Sequence, residues 1–132
     1  MTVVVTHLST PEGREALDTA AREAVRRATT LVVVTSEGGA SPEARTARAE
    51  DLRRVEAALE GTGARLEVEP CGDDLADALV AAAERTSAEL IVIGLRRRSP
   101  VGKLILGSNA QRILLDAPCP VLAVKPVRDP AS

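Results

Sequence analysis

The residues best suited to chemistry lie between Ile93 and Asn109. Ile93-Gly94-Leu95 is followed by Arg96-Arg97-Arg98, then Lys103, then Gly107-Ser108-Asn109, with no acid between the two glycines. Arginine grips anions with a fork of donors. A glycine-serine turn that opens a helix adds main-chain amides with no acceptor in their own helix. Together they suit a polyphosphate. A P-loop is excluded, because Leu104 follows Gly102-Lys103 where a magnesium-binding Ser or Thr belongs.

His7 is the single histidine, and Cys71 and Cys119 are the only cysteines. General acid–base work needs a partner to orient the ring, and none is visible beside His7. It reads as a polar residue at the mouth of a loop, with a modest claim as a ligand contact and no catalytic role. Removing it should leave nucleotide affinity unchanged. The cysteines form no CxxC pair and join no ligand cluster, so reduced thiols without assigned function are expected.

The elements that must position these residues alternate along the chain. Val3-Val4-Val5, Leu31 to Val34, and Leu90 to Ile93 are short β-branched runs, as in strands covered on both faces. Ala64 to Pro70 alternates polar and apolar residues, which suits a strand near a sheet edge. Val121 to Val124 reads as a further buried strand. Helices are expected from Ser9 or Thr10 to Arg27, with a cap and then Pro11 in the first turn, from Pro42 to Leu59, after the Ser41-Pro42 breakers, and from Gly72 or Asp73 to Arg85. The charges on the second of these read as a solvated face. Ser108-Asn109-Ala110-Gln111 matches a capping box and opens a fourth helix, which Pro118 ends. Residues 95–106 between strand and helix read as a basic loop. The pattern is an α/β fold, an open parallel five-stranded sheet with helices on both faces.

Over residues 88–126 the chain resembles the universal stress protein family. Nucleotide-binding members carry a glycine, two residues, a glycine, nine residues, then glycine-serine or glycine-threonine. Gly94 and Gly107-Ser108 hold the outer positions here, and Arg97 stands at the second glycine. Ala117-Pro118-Cys119-Pro120-Val121-Leu122-Ala123-Val124 also looks like the family's last strand. The resemblance implies a Rossmann-like sheet of order 3-2-1-4-5, with a ligand cleft between the first and fourth strands. It implies ATP as the ligand, with Mg²⁺ arriving only on the nucleotide. Phosphates would meet Gly107, Ser108 and Asn109, with Ile93 and Gly94 beneath and Arg96 or Arg97 folded over them. Val34 and Thr35 match the strand end that contacts adenine. Thr6 and His7 stand where the family places a ribose-binding aspartate. The family's pairing through its last strand implies a homodimer at Val121, Leu122 and Val124.

Composition narrows the remaining choices. The 132 residues suit one domain, taken as 1–127 with a short tail at 128–132. A net charge of −2 gives no bulk attraction to nucleic acid, and the absence of Phe, Trp and Tyr removes the rings on which single strands stack. No apolar run is long enough to span a membrane, and no leader precedes the first strand, so a cytoplasmic protein is expected. Two readings stand: a dimeric ATP-binding stress-response module without efficient catalysis, or a dimeric scaffold that binds no nucleotide. With no nucleophile–base pair and no evident carboxylate for Mg²⁺, weak ATP hydrolysis is the most the residues support.

Overall fold

The computed structural model describes residues 1–8, 10–36, 41–72, 74–98 and 103–125, and for 96–98 and 103–105 the backbone alone. The suggested tail and the side chains of Arg96, Arg97 and Lys103 lie outside that description.

Five strands form one parallel sheet: β1 (Thr2–Thr6), β2 (Thr30–Ser36), β3 (Arg65–Cys71), β4 (Leu90–Gly94) and, last in the chain, β7 (Val121–Val124). Their order is β3-β2-β1-β4-β7, so the expected 3-2-1-4-5 arrangement is present. Between β4 and β7 the chain makes a two-stranded antiparallel hairpin, β5 (Arg96–Arg98) with β6 (Lys103–Ile105). This corrects the basic loop. Main-chain pairing needs no apolar alternation, so nothing in Arg-Arg-Arg announced a strand.

The helices are α1 (Pro11–Arg27), α2 (Pro42–Leu59), α3 (Leu75–Arg85) and α4 (Ser108–Asp116). The two-residue period of each strand divides the core between the faces of the sheet. Val3, Val5, Leu31, Val33 and Val92 pack with Leu17 of α1 and Val55 of α2. Val4, Val32, Val34, Ile91 and Ile93 pack on the other face with Leu79 of α3 and Ile113 of α4. The continuous β-branched runs follow from this double cover. β7 departs from its reading as a fully buried strand, because Leu122 and Ala123 are exposed at the sheet edge.

Helix starts follow local chemistry. Thr10 caps α1 by accepting from the Gly13 amide at 3.1 Å, and Ser41 caps α2 by accepting from the Ala44 amide at 3.1 Å. Asp74, and not Gly72 or Asp73, caps α3, accepting from the Asp77 amide at 3.0 Å. The capping box at Ser108 does not form. Gly107 is the N-cap of α4 and no side chain caps that helix. Ser108 is thus already the first helical residue, one position too late, and the Gln111 side-chain amide donates to the Leu106 carbonyl instead.

Two glycines allow the β1–α1 turn to press against its neighbours. A Cβ on Gly13 would collide with the Leu8 carbonyl, and one on Gly94 would lie 2.5 Å from the Glu12 carbonyl oxygen. Both obstacles are backbone and cannot rotate away. Gly94→Ala should therefore cost about 1–3 kcal/mol by overpacking. A urea titration should show a lowered midpoint, and an unchanged midpoint would contradict this packing.

Candidate functional site

In the strand order the chain turns from one side of β1 to the other. β2 and β3 lie one way, β4 and β7 the other, and the crevice at the carboxyl ends of β1 and β4 is where open α/β sheets take ligands. A cleft of about 240 Å³ occupies that place. Its floor is Thr6 and Leu8 at the end of β1, with Ile93 and Gly94 at the end of β4. Thr10 and Glu12 line it from the α1 side, Leu75 and Ala76 from α3, and Gly107 to Ala110 with Ile113 from α4.

Each wall has an identifiable support. The α1 wall sits close to β4 because Gly94 has no side chain. The α4 wall is tied to α3 by Arg112, whose guanidinium reaches Asp74 Oδ2 at 3.1 Å and Asp77 Oδ1 at 3.3 Å. The Asp77 amide, followed by Arg112, holds the Asp74 carboxyl below its ordinary value. These are exposed bonds of small individual worth, but together they fix how the α4 end faces the cleft.

Electrostatically the cleft is simple. Glu12 is its only charged lining residue among those described. Opposite it, the first turn of α4 contains no acid and no side-chain cap. The Ser108, Asn109 and Ala110 amides therefore lack the partner that α1, α2 and α3 each receive from a cap, and the helix dipole adds partial positive charge there. A Cβ on Gly107 would meet nothing within 4 Å, so this corner is open.

The cleft brings together Thr6, Ile93, Gly94, Gly107, Ser108 and Asn109 of the residues singled out from sequence. Val34 lies outside the lining: its side chain is buried, and its carbonyl accepts from the His7 amide at 2.9 Å. The Arg96 and Arg97 side chains are outside the described structure. Sequence reading missed Leu8, Thr10, Glu12, Leu75, Ala76, Ala110 and Ile113 as lining residues. Placing Glu12 there required knowing how tightly the turn before α1 folds back.

His7 is not at a loop mouth. Thr6 and Leu8 face the cleft, so the residue between them projects from the opposite face. There the ring is buried, and Nε2 lies 2.9 Å from Asp51 Oδ2 of α2. Asp51 corrects the reading of α2 as a wholly solvated charged face, being only 5% exposed. Its other oxygen accepts from Arg54 at 2.8 Å, and Arg54 reaches Asp18 of α1 at 3.0 Å. Burial raises the Asp51 pKa, but hydrogen bonds from His7 and Arg54 outweigh it, leaving the carboxyl below its ordinary 3.8. An ionised carboxylate only accepts, so His7 Nε2 carries the proton in this bond.

A larger depression of about 590 Å³ lies between α1 and α2 over Ala21, Val25, Val55 and Ala58. Mid-helix amides there are already bonded within their helices, so the groove offers an anion no main-chain donors. Cys71 and Cys119 are half-buried and form no disulfide, and burial pushes the Cys119 thiol up, away from nucleophilic use. Among the described residues no three His, Cys, Asp or Glu gather to hold a metal, and no helix is long and apolar enough to cross a membrane.

Asp51 generates a pH-dependent prediction. Its carboxyl is lowered on folding, so its contribution is complete above about pH 3.8 and disappears as pH falls through the folded value. Asp51→Asn should cost about 1–3 kcal/mol at pH 7, and less as pH falls below 3.8. Urea titrations across that range check it; a difference independent of pH would contradict it.

Residues 1–125 match the model of the universal stress protein family. A universal stress protein of Mycolicibacterium smegmatis is 47% identical over 126 residues, covering 94% of this chain and 97% of its own. A universal stress protein solved in complex with cAMP superposes with a TM-score of 0.72 at 27% identity, over 96% of this chain and 98% of that one. The universal stress protein of Archaeoglobus fulgidus in complex with dAMP gives 0.66 at 28% identity, over 95% and 98%. The chain belongs to the universal stress protein family.

Proposed function

We propose that this protein binds an adenine nucleotide, ATP in the first instance, in the cleft between β1 and β4. The observation that carries the reading is the α4 start: it opens into the cleft with no side-chain cap and no acid in its first turn. Phosphates would meet the amides of Gly107, Ser108 and Asn109, with the Ser108 hydroxyl as a further donor. Ile93 and Gly94 would lie beneath them, and Arg96 or Arg97 would fold over. The base has no aromatic ring to stack on and would rest among aliphatic side chains such as Leu8 and Ala76. Thr6 would stand near the ribose, and any Mg²⁺ would come with the nucleotide. The two family members crystallised with cAMP and dAMP support this ligand class.

The protein would hold nucleotide without turning it over efficiently. His7, the one histidine, is paired with Asp51 on the opposite face, and no nucleophile–base pair stands among the described lining residues. Two copies would join through β7. That strand has a hydrogen-bonded neighbour on one side only, and Leu122 on it is 37% exposed. An apolar edge of this kind favours symmetric pairing.

Calorimetry with Mg·ATP should give a Kd of about 1–100 µM. Gly107→Val should fold normally, since open space receives its side chain, and should weaken binding about tenfold or more by crowding the anion. Wild-type affinity in a folded Gly107→Val would place the phosphates elsewhere. No detectable ATP binding by the wild type would leave the scaffold reading. Sedimentation equilibrium at micromolar concentration should return twice the chain mass, and Leu122→Asp should return the monomer. A monomeric wild type refutes the dimer.

A further inference from the structure

We propose that the buried His7–Asp51 pair is a positioning device for the ligand cleft, holding the β1–α1 connection in the place that sets one cleft wall. The inference rests on the nucleotide reading only for its binding readout. Thr6 and Leu8 line the cleft, and the residue between them is anchored on the far side of the sheet. The anchor is well made: side-chain exposures are 5% for His7 and 8% for Asp51, at 2.9 Å. It is also cross-linked. Asp51 bonds Arg54, and Arg54 bonds Asp18, so α2, α1 and the end of β1 share one polar chain.

Beyond His7 the main chain reaches Thr10, which lines the cleft and caps α1. A shift of His7 is therefore passed to Leu8 and Thr10 within three residues. Buried ion pairs add little net stability but can select one arrangement over others. Here the arrangement selected is the seating of the turn against Gly94 and Gly13, where backbone contacts leave little clearance.

The test uses the full chain, with wild type, His7→Ala and Asp51→Asn. His7→Ala leaves Asp51 paired with Arg54, so no buried charge is stranded. Asp51→Asn keeps an acceptor for His7. Amide hydrogen exchange is read at Gly13, whose amide donates to Thr10, and at Asp77, whose amide donates to Asp74 at the start of α3. In His7→Ala, exchange at Gly13 should rise about tenfold relative to Asp77, because only the tethered wall is loosened. Against the expectation from sequence that removing His7 leaves nucleotide affinity unchanged, the ATP Kd of His7→Ala should rise about tenfold, with Asp51→Asn retaining most of the affinity. Equal acceleration at both amides would mean lost global stability only, and would overturn the proposal. So would unchanged exchange at Gly13 in a folded His7→Ala. If His7→Ala does not fold, the same comparison in His7→Leu, which fills the buried space without the bond, decides, with a Gly13-selective rise supporting the proposal and its absence refuting it. A wild type that binds no ATP would end the nucleotide reading, and the Gly13-to-Asp77 comparison would still decide this one.

Discussion

The close approach of the first turn of α1 to the end of β4 is the constraint on which the site depends. Gly94 lies against the Glu12 carbonyl with no room for a methyl group, and Gly13 lies against Leu8 in the same way. These contacts draw the β1–α1 connection down onto the sheet at the point where the strand order reverses. Without them Thr10 and Glu12 would stand away from Ile93, and the crevice would lose its α1 wall. Gly94 thus has a structural reason that is independent of any ligand.

Polar groups are divided between the two faces of the sheet. On the α1–α2 face the buried His7 and Asp51 bond each other, and the more exposed Arg54 and Asp18 continue the chain of bonds. On the α3–α4 face the cleft presents main-chain donors at the start of α4 and a single carboxylate, Glu12, among the described lining residues. The first group consumes its hydrogen-bonding capacity in holding helices to strands. The main-chain donors at the start of α4 retain theirs, which is the condition for binding something from solution.

Much of this was legible in the sequence, for identifiable reasons. Val3 to Val5 and Leu90 to Ile93 are apolar on both faces, and only a doubly covered strand explains that. Gly107-Ser108 announced a helix start beside the cleft, although the cap shifted by one residue because glycine took the N-cap conformation. What was hidden depended on tertiary distance. Asp51 sits 44 residues from His7, in a helix where it is one charge among many. Nothing local separates it from its solvated neighbours. The β5–β6 hairpin was hidden for a different reason, since it is held by main-chain pairing that side-chain patterns do not encode.

A crystal structure of the protein grown with saturating ATP would test the central claim most directly. The account predicts phosphate oxygens at hydrogen-bond distance, about 2.7–3.2 Å, from the Ser108 and Asn109 amides, with Gly107 beside them. A triphosphate bound away from the α4 start, or a cleft that stays empty at saturating ATP, would contradict it.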